Sequence, residues 1–167
     1  LLFRRAKEML RLRQQTSFEL EELRGVKRGL LQLGGSTIPG EFILPGVIGR
    51  FRERYPGILV RLSIADSSAI VLRVAEGDLE LGVVGSAKGP KEIHFETIWE
   101  DELVVVVPRE HRWSQRDSLS LEELAKEPFI SRESGSGTRE IFEDHVRRFA
   151  PQLMEAFDCV AELGSSA

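Results

Sequence analysis

The residues of this sequence that could do chemistry are hydroxyls and glycines gathered in turns. Gly34-Gly35-Ser36-Thr37-Ile38-Pro39-Gly40 separates a short apolar run from an amphipathic stretch, Ser67-Ser68 follow Asp66, and Gly85-Ser86 close a third apolar run. Ser134-Gly135-Ser136-Gly137-Thr138 precede another amphipathic stretch, and Gly164-Ser165-Ser166 begin one more such turn. A turn of this composition, carrying the chain from a strand into a helix, leaves backbone N–H groups unpaired at the positive end of the helix dipole. With hydroxyl donors beside them, such groups suit an anion or a carbonyl. One isolated turn of this kind reads more readily as an ordinary capped junction. Several on one edge of a sheet make a binding site.

The elements that must position these turns follow from periodicity. Residues 30–33 form a brief apolar run bounded by glycines, which predicts a buried strand. Leu44, Val47, Ile48, Phe51 and Tyr55 recur at helical spacing, and Pro56-Gly57 end that helix. Ile58, Val60, Leu62 and Ile64 alternate with Leu59, Arg61 and Ser63 as a second strand. Asp66 or Ser67 caps a second helix with Ile70, Val71 and Val74 inward, and residues 79–84 form a third strand. Strands alternating with helices imply a parallel sheet, with ligands beyond the carboxyl ends of its strands. Those ends carry Ser36/Thr37, Ser67/Ser68 and Gly85/Ser86.

The alternation then breaks. Residues 95–99 and 103–107 read as two strands of a crossover, separated by Glu100-Asp101-Glu102 and ended by Pro108. A polar loop, a short helix at 119–124 capped by Ser120, and a short strand at Phe129-Ile130 lead to the 134–138 turn. The helix after it places Ile141, Phe142, His145, Val146 and Phe149 inward and stops at Pro151, and residues 157–163 form a last strand.

The chain of 167 residues, 41% hydrophobic and 30% charged, reads as one globular domain or two small lobes. No apolar run reaches membrane-span length, and Leu1-Leu2-Phe3 give way at once to Arg4, Arg5 and Lys7, which is no signal core. The first residue is not Met and the last are Ser165-Ser166-Ala167, so a fragment is expected. Cys159 is the single cysteine, which excludes an internal disulfide and fits a cytoplasmic home. Residues 1–28 hold eight Lys/Arg against four Glu, a surplus of 4 positive charges, so the remainder carries −8 of the chain's net −4. That asymmetry points to a polyanion or partner near the N-terminal piece, or to a solvated helix face.

Residues 1–24 contain no Gly or Pro and predict a long helix. Leu2, Ala6, Met9, Arg13, Thr16, Leu20 and Leu23 follow alternating four- and three-residue steps, the seam of a coiled coil. A helix polar over most of its circumference needs a partner helix, so a dimerisation helix using Leu2, Ala6, Met9, Leu20 and Leu23 is expected.

Other chemistries find little support. Ser134 to Thr138 lack the Gly-Lys-Ser/Thr ending of a nucleotide-binding loop, and no Gly-x-Ser-x-Gly elbow is present. His94, His111 and His145 are scattered, without the spacing or cysteine company of a metal site. The acidic clusters 21–22 and 100–102 read as solvated faces, and no catalytic carboxylate pair stands out. No catalytic residue, metal ligand or cofactor is therefore expected, and the chain is read as no enzyme.

The basic helix 1–24 and the runs GLLQLGGSTIPGEFILPGVIGRFRERYPGILVRL (29–62), VAEGDLELGVVG (74–85), ELVVVVPREHRW (102–113) and SGSGTRE (134–140) resemble LysR-type transcriptional regulators over essentially the whole chain. Each piece is common; the combination is specific. The resemblance implies an α/β fold, a two-lobed periplasmic-binding-protein-like (type 2) effector domain preceded by a long linker helix. Residues 1–24 would be the linker and dimerisation helix, 29–88 the first lobe, 93–107 the crossover strands and 108–167 an incomplete second lobe. The winged helix-turn-helix that reads DNA and the C-terminal end of the effector domain would be absent.

The resemblance further implies an effector site between the lobes. Ser36, Thr37, Ser67, Gly85 and Ser86 would face Ser134, Ser136 and Thr138 across it, with Arg132 and Arg139 near enough to add positive charge. A small anionic effector is expected, bound by a bacterial, cytoplasmic homodimer or homotetramer that contacts DNA through the missing domain and no membrane. The Ser-Thr-Ile-Pro-Gly-Glu turn is most similar to family members concerned with sulfur or related inorganic metabolism. The alternative is an extracytoplasmic solute-binding protein of the same fold.

Overall fold

A computed structural model of the chain describes residues 2, 5, 6, 9, 10, 12, 13, 16, 17, 20 and 29–164. The described residues before Gly29 are all helical and all exposed, including Leu2, Ala6, Met9 and Leu20 of the expected seam; Leu23 lies outside the described residues. Thr16 and Ser17 return their hydroxyls to the carbonyls of Leu12 and Arg13, one turn back, at 2.9 and 3.1 Å.

Strand β1 (Gly29–Ser36) is the centre of a three-stranded parallel sheet, flanked by β2 (Ile58–Ala65) and β3 (Leu81–Val83). Helical backbone begins at Thr37, passes through a π-helical turn at Pro39–Ile43 and continues as helix α1 (Leu44–Arg54). Helix α2 (Ser67–Ala75) connects β2 to β3. The two helices cover opposite faces of β1, as its alternating side-chain directions require. A Cβ on Gly34 would meet Leu79 Cδ1 at 2.7 Å and Ile70 Cγ2 at 2.8 Å, on the α2 side. One on Gly35 would meet Gly40 Cα at 2.7 Å and Leu44 Cδ1 at 2.9 Å, on the α1 side. Around this contact lie the buried Leu33, Leu44, Ile70, Val71 and Leu79.

The 34–40 stretch is therefore not a turn throughout. Gly34, Gly35 and Ser36 are strand residues, and neither glycine has a positive φ. They are small because two helices press on the strand there.

The second lobe holds the short helix α3 (Leu121–Leu124), strand β4 (Phe129–Arg132), helix α4 (Gly137–Phe149), a 3-10 turn at Pro151–Leu153 and strand β5 (Cys159–Leu163). β4 and β5 pair in parallel. Ser120 caps α3 in a capping box: its hydroxyl accepts from Glu123 N–H, and the Glu123 carboxylate accepts from Ser120 N–H. Phe129, Phe142 and Phe157 cluster with ring centroids 5.1 to 5.9 Å apart, while Trp113, Leu124, Val146 and Ala150 are buried. On α4 only Phe142 and Val146 of the expected inward set turn inward; Ile141, His145 and Phe149 are exposed.

Residues 93–107, expected as two crossover strands, join no ladder among the described residues. Ile98, Trp99, Leu103, Val104, Val105 and Val106 are exposed along this segment. Strand-forming composition needs a partner strand to become a strand, because unpaired backbone gains nothing from it.

Candidate functional site

At the carboxyl edge of the first lobe, β1 delivers Ser36, which is buried, and Thr37, which is half-buried. β2 delivers Asp66, the N-cap of α2, whose carboxylate accepts from Ala69 N–H at 2.9 Å. With Asp66 as the cap, Ser67 is the first residue of the helix and is 3% exposed. Gly85 and Ser86 follow β3 on the same edge, which is where ligands sit in open parallel sheets.

The second lobe meets this edge with the N-terminal end of α4. Gly135, at φ 88°, turns the chain in the left-handed region that only glycine enters without strain. Ser136 holds the N-cap position, buried, with no side-chain capping bond. Next comes Gly137, where a Cβ would stand 2.8 Å from Ser67 Oγ, 3.0 Å from the Gly85 carbonyl carbon and 3.1 Å from Ser86 N. A Cβ on Gly135 would stand 2.7 Å from Asp66 Oδ1. Ser68 donates to the Gly135 carbonyl from its backbone N–H at 3.3 Å and from its hydroxyl at 3.4 Å. The lobes meet here backbone against backbone.

Charge crosses the same junction. Arg132, at the end of β4, donates from Nη2 to Thr37 Oγ1 at 3.4 Å. Its Nε and Nη2 also donate to Glu133 Oε2 and Oε1 at 2.8 and 3.0 Å, and Nε reaches the Leu163 carbonyl at 3.2 Å. The hydrogen bond from Arg132 holds the Glu133 carboxyl below its usual range, against the opposing effect of burial. Further out, Lys88 Nζ of the first lobe pairs with Asp144 Oδ2 on α4 at 2.5 Å, which lowers the Asp144 carboxyl.

Arg139 does not serve the cleft. Its Nε donates to Glu143 Oε1 at 2.7 Å, and its Nη1 donates to Glu162 Oε2 at 2.8 Å and to the Arg132 carbonyl at 3.1 Å. It ties α4 to the ends of β4 and β5, and these carboxylates raise its own affinity for its proton, Glu143 foremost.

Of the residues expected at the site, Ser67, Gly85 and Ser86 meet the turn that carries Ser136, and Thr37 meets Arg132. Thr138 is half-buried within the first turn of α4, and Ser134 is exposed. Sequence reasoning places Ser68 at the strand end and Gly135 and Gly137 in a turn, but misses the two glycines as points of close approach and Glu133 as a junction residue. The Gly-x-Gly spacing around Ser136 was the available signal, since paired glycines mark close backbone approach. The arrangement offers hydroxyls, helix-end N–H groups and one guanidinium, and so can bind an oxygen-rich group. Among the described residues no cluster of three His, Cys, Asp or Glu is placed to hold a metal ion. Among them, too, no helix is long and apolar enough to cross a membrane.

A family description, LysR substrate binding domain, matches residues 24–159. The transcriptional activator CmpR of a Synechocystis species is 37% identical over 125 residues, 75% of this chain and 41% of that protein. The regulatory domain of Synechocystis CcmR, solved in complex with 2-PG, aligns at TM-score 0.68 and 30% identity, covering 83% of this chain and 64% of that one. The effector binding domain of QuiR, solved with shikimate, aligns at TM-score 0.72 and 19% identity over 83% of this chain and 66% of that one, a likeness of fold. The chain spans about half the length, or less, of the curated relatives it matches. With two parallel α/β lobes meeting at their strand ends, this chain belongs to the LysR substrate-binding-domain family and has its periplasmic-binding-protein-like (type 2) fold.

Proposed function

We propose that this chain is the effector-sensing part of a LysR-type DNA-binding transcriptional regulator, taking a small anionic ligand between its lobes. One observation carries the reading: the N-terminal end of α4 is seated on the strand ends of the other lobe, with Arg132 reaching Thr37. Helix-end N–H groups, the hydroxyls of Ser36, Thr37, Ser67, Ser136 and Thr138, and a guanidinium together favour an oxyanion over a neutral ligand. Gly85 and Ser86 contribute their backbone to the same junction, and Ser134 lies at its rim. The relative solved with 2-PG supports a small-molecule ligand here.

The reading is allosteric and involves no catalysis. A ligand that binds one lobe arrangement better than another shifts the population toward it, by no more than its differential affinity. Dimerisation through residues 1–24 would carry that shift to DNA-binding heads elsewhere in a cytoplasmic regulator. Matches to transcriptional regulators at 30–37% identity favour this reading over an extracytoplasmic solute-binding protein.

The test is a mobility-shift titration of the full-length regulator on DNA upstream of its own gene at fixed salt, with and without sulfate, phosphate, 2-PG and simple carboxylates. The expected result is a specific complex whose affinity or footprint changes with one of these anions. A shift no stronger than that on random DNA would overturn the regulator reading, and a response to neutral ligands alone would overturn the anion.

A further inference from the structure

Arg132 and Glu133 are neighbours in sequence, and their side chains lie at the lobe junction with 11% and 21% of their surface exposed. Glu133 engages the guanidinium with both carboxylate oxygens, one on Nε and one on Nη2. This forked geometry is what a guanidinium offers to a carboxylate, phosphate or sulfate group. The Nη2 that serves Glu133 also reaches Thr37 of the first lobe. The protein's own carboxylate thus occupies the cation at the place where the lobes meet.

The backbone at Glu133 has partners of its own besides the side chain. Glu133 N–H donates to the Leu163 carbonyl at 3.1 Å, continuing the β4–β5 pairing, and its carbonyl accepts from Ser136 N–H at 3.2 Å. Its carboxylate serves Arg132. Removing a guanidinium from water without a counter-charge is costly, and Glu133 supplies that charge from one residue away. An incoming anion gains this edge of the guanidinium only by displacing Glu133. Exchanging one singly charged carboxylate for another yields little, whereas a doubly charged oxyanion gains attraction that the monoanion lacks.

We propose that Glu133 is an internal counter-anion of Arg132, displaced by a doubly charged oxyanion of the phosphate or sulfate type when the effector binds between the lobes. This rests on the effector reading above and names the group that sets its charge selectivity. Glu133 acts through Arg132 and is a positioning residue.

Calorimetric titration of the full-length protein with sulfate, with inorganic phosphate and with acetate, at constant ionic strength, tests it. Sulfate or phosphate is expected to bind the wild type more tightly than acetate does. Glu133→Gln should tighten that binding about tenfold, the scale of a hydrogen-bonded charge. It should also narrow the preference over acetate, because the resident competitor is gone. In an Arg132→Gln background Glu133→Gln should have no effect, and Arg132→Lys, which keeps the charge without the fork, should lose the gain. Glu162→Gln removes a nearby charge that faces Arg139, and should change affinity less than about twofold. Anion binding by the wild type that is unchanged in Glu133→Gln overturns the proposal and leaves the effector reading standing. Failure of both wild type and Glu133→Gln to bind either dianion overturns the proposal together with the anionic effector.

Discussion

Gly137 and Ser67 belong to different lobes, yet a Cβ on Gly137 would stand 2.8 Å from the Ser67 hydroxyl oxygen. The first helical residue of α4 is thus pressed against the first helical residue of α2, with Gly85 and Ser86 close on the same side. Two helix N-termini and the end of a strand converge on one point, so the closed junction is set by backbone proximity.

Gly137→Ala tests that proximity. Gly137 has no positive φ, so alanine costs it no backbone strain and the effect is steric. The new methyl would meet backbone atoms at 3.0 and 3.1 Å, which cannot rotate away. Overpacking of this kind costs about 1–3 kcal/mol. Urea denaturation is expected to show that loss, and small-angle scattering a domain whose lobes stand further apart.

Gly34→Ala tests the first lobe alone. Its Cβ would meet the side chains of Leu79 at 2.7 Å and Ile70 at 2.8 Å, and Ile70 is fully buried. A destabilisation of about 1–3 kcal/mol is expected from forcing these two apart. Side chains yield more readily than backbone, so the loss should fall below that of Gly35→Ala, whose Cβ meets Gly40 backbone at 2.7 Å. Paired denaturation curves of the two variants check the order.

Acid should weaken the contacts that Glu123 makes in the second lobe. Arg116 donates to both Glu123 oxygens, and with the Ser120 cap it pulls the Glu123 carboxyl from 4.5 to about 2. A carboxyl lowered in the folded state stabilises above its unfolded value and loses that contribution as pH falls through the folded one. The window for Glu123 is therefore from 4.5 down to about 2. Glu133 and Asp144, both lowered by their partners, add in the same direction. Denaturation midpoints measured across this window should fall with pH, and Glu123→Gln should flatten the fall.

Where periodicity and turn residues acted locally, the sequence was readable. The inward face of α1, the Ser120 cap and the β-α-β order of the first lobe depend on neighbours within a few turns, and each is present. The glycines of 34–40 were misread because a glycine needed for close packing and one needed for a turn look the same in a sequence. Residues 93–107 have strand composition, but composition supplies no ladder partner. On α4, the outward His145 and Phe149 rings meet in a tilted contact with centroids 4.7 Å apart, a local pairing at the same spacing as an inward stripe.

The sequence by itself determined the alternation of strands and helices and the hydroxyl turns at strand ends, because these follow from local propensity and periodicity, and the combination of its motifs carried the resemblance to the family. The tertiary structure alone decided which groups share the junction. It sent Arg139 to Glu143 and Glu162, kept Arg132 beside Thr37 with Glu133 in its fork, and brought Gly137 onto Ser67. Such pairings join residues up to 95 positions apart, and only the closing of one lobe on the other brings them within reach.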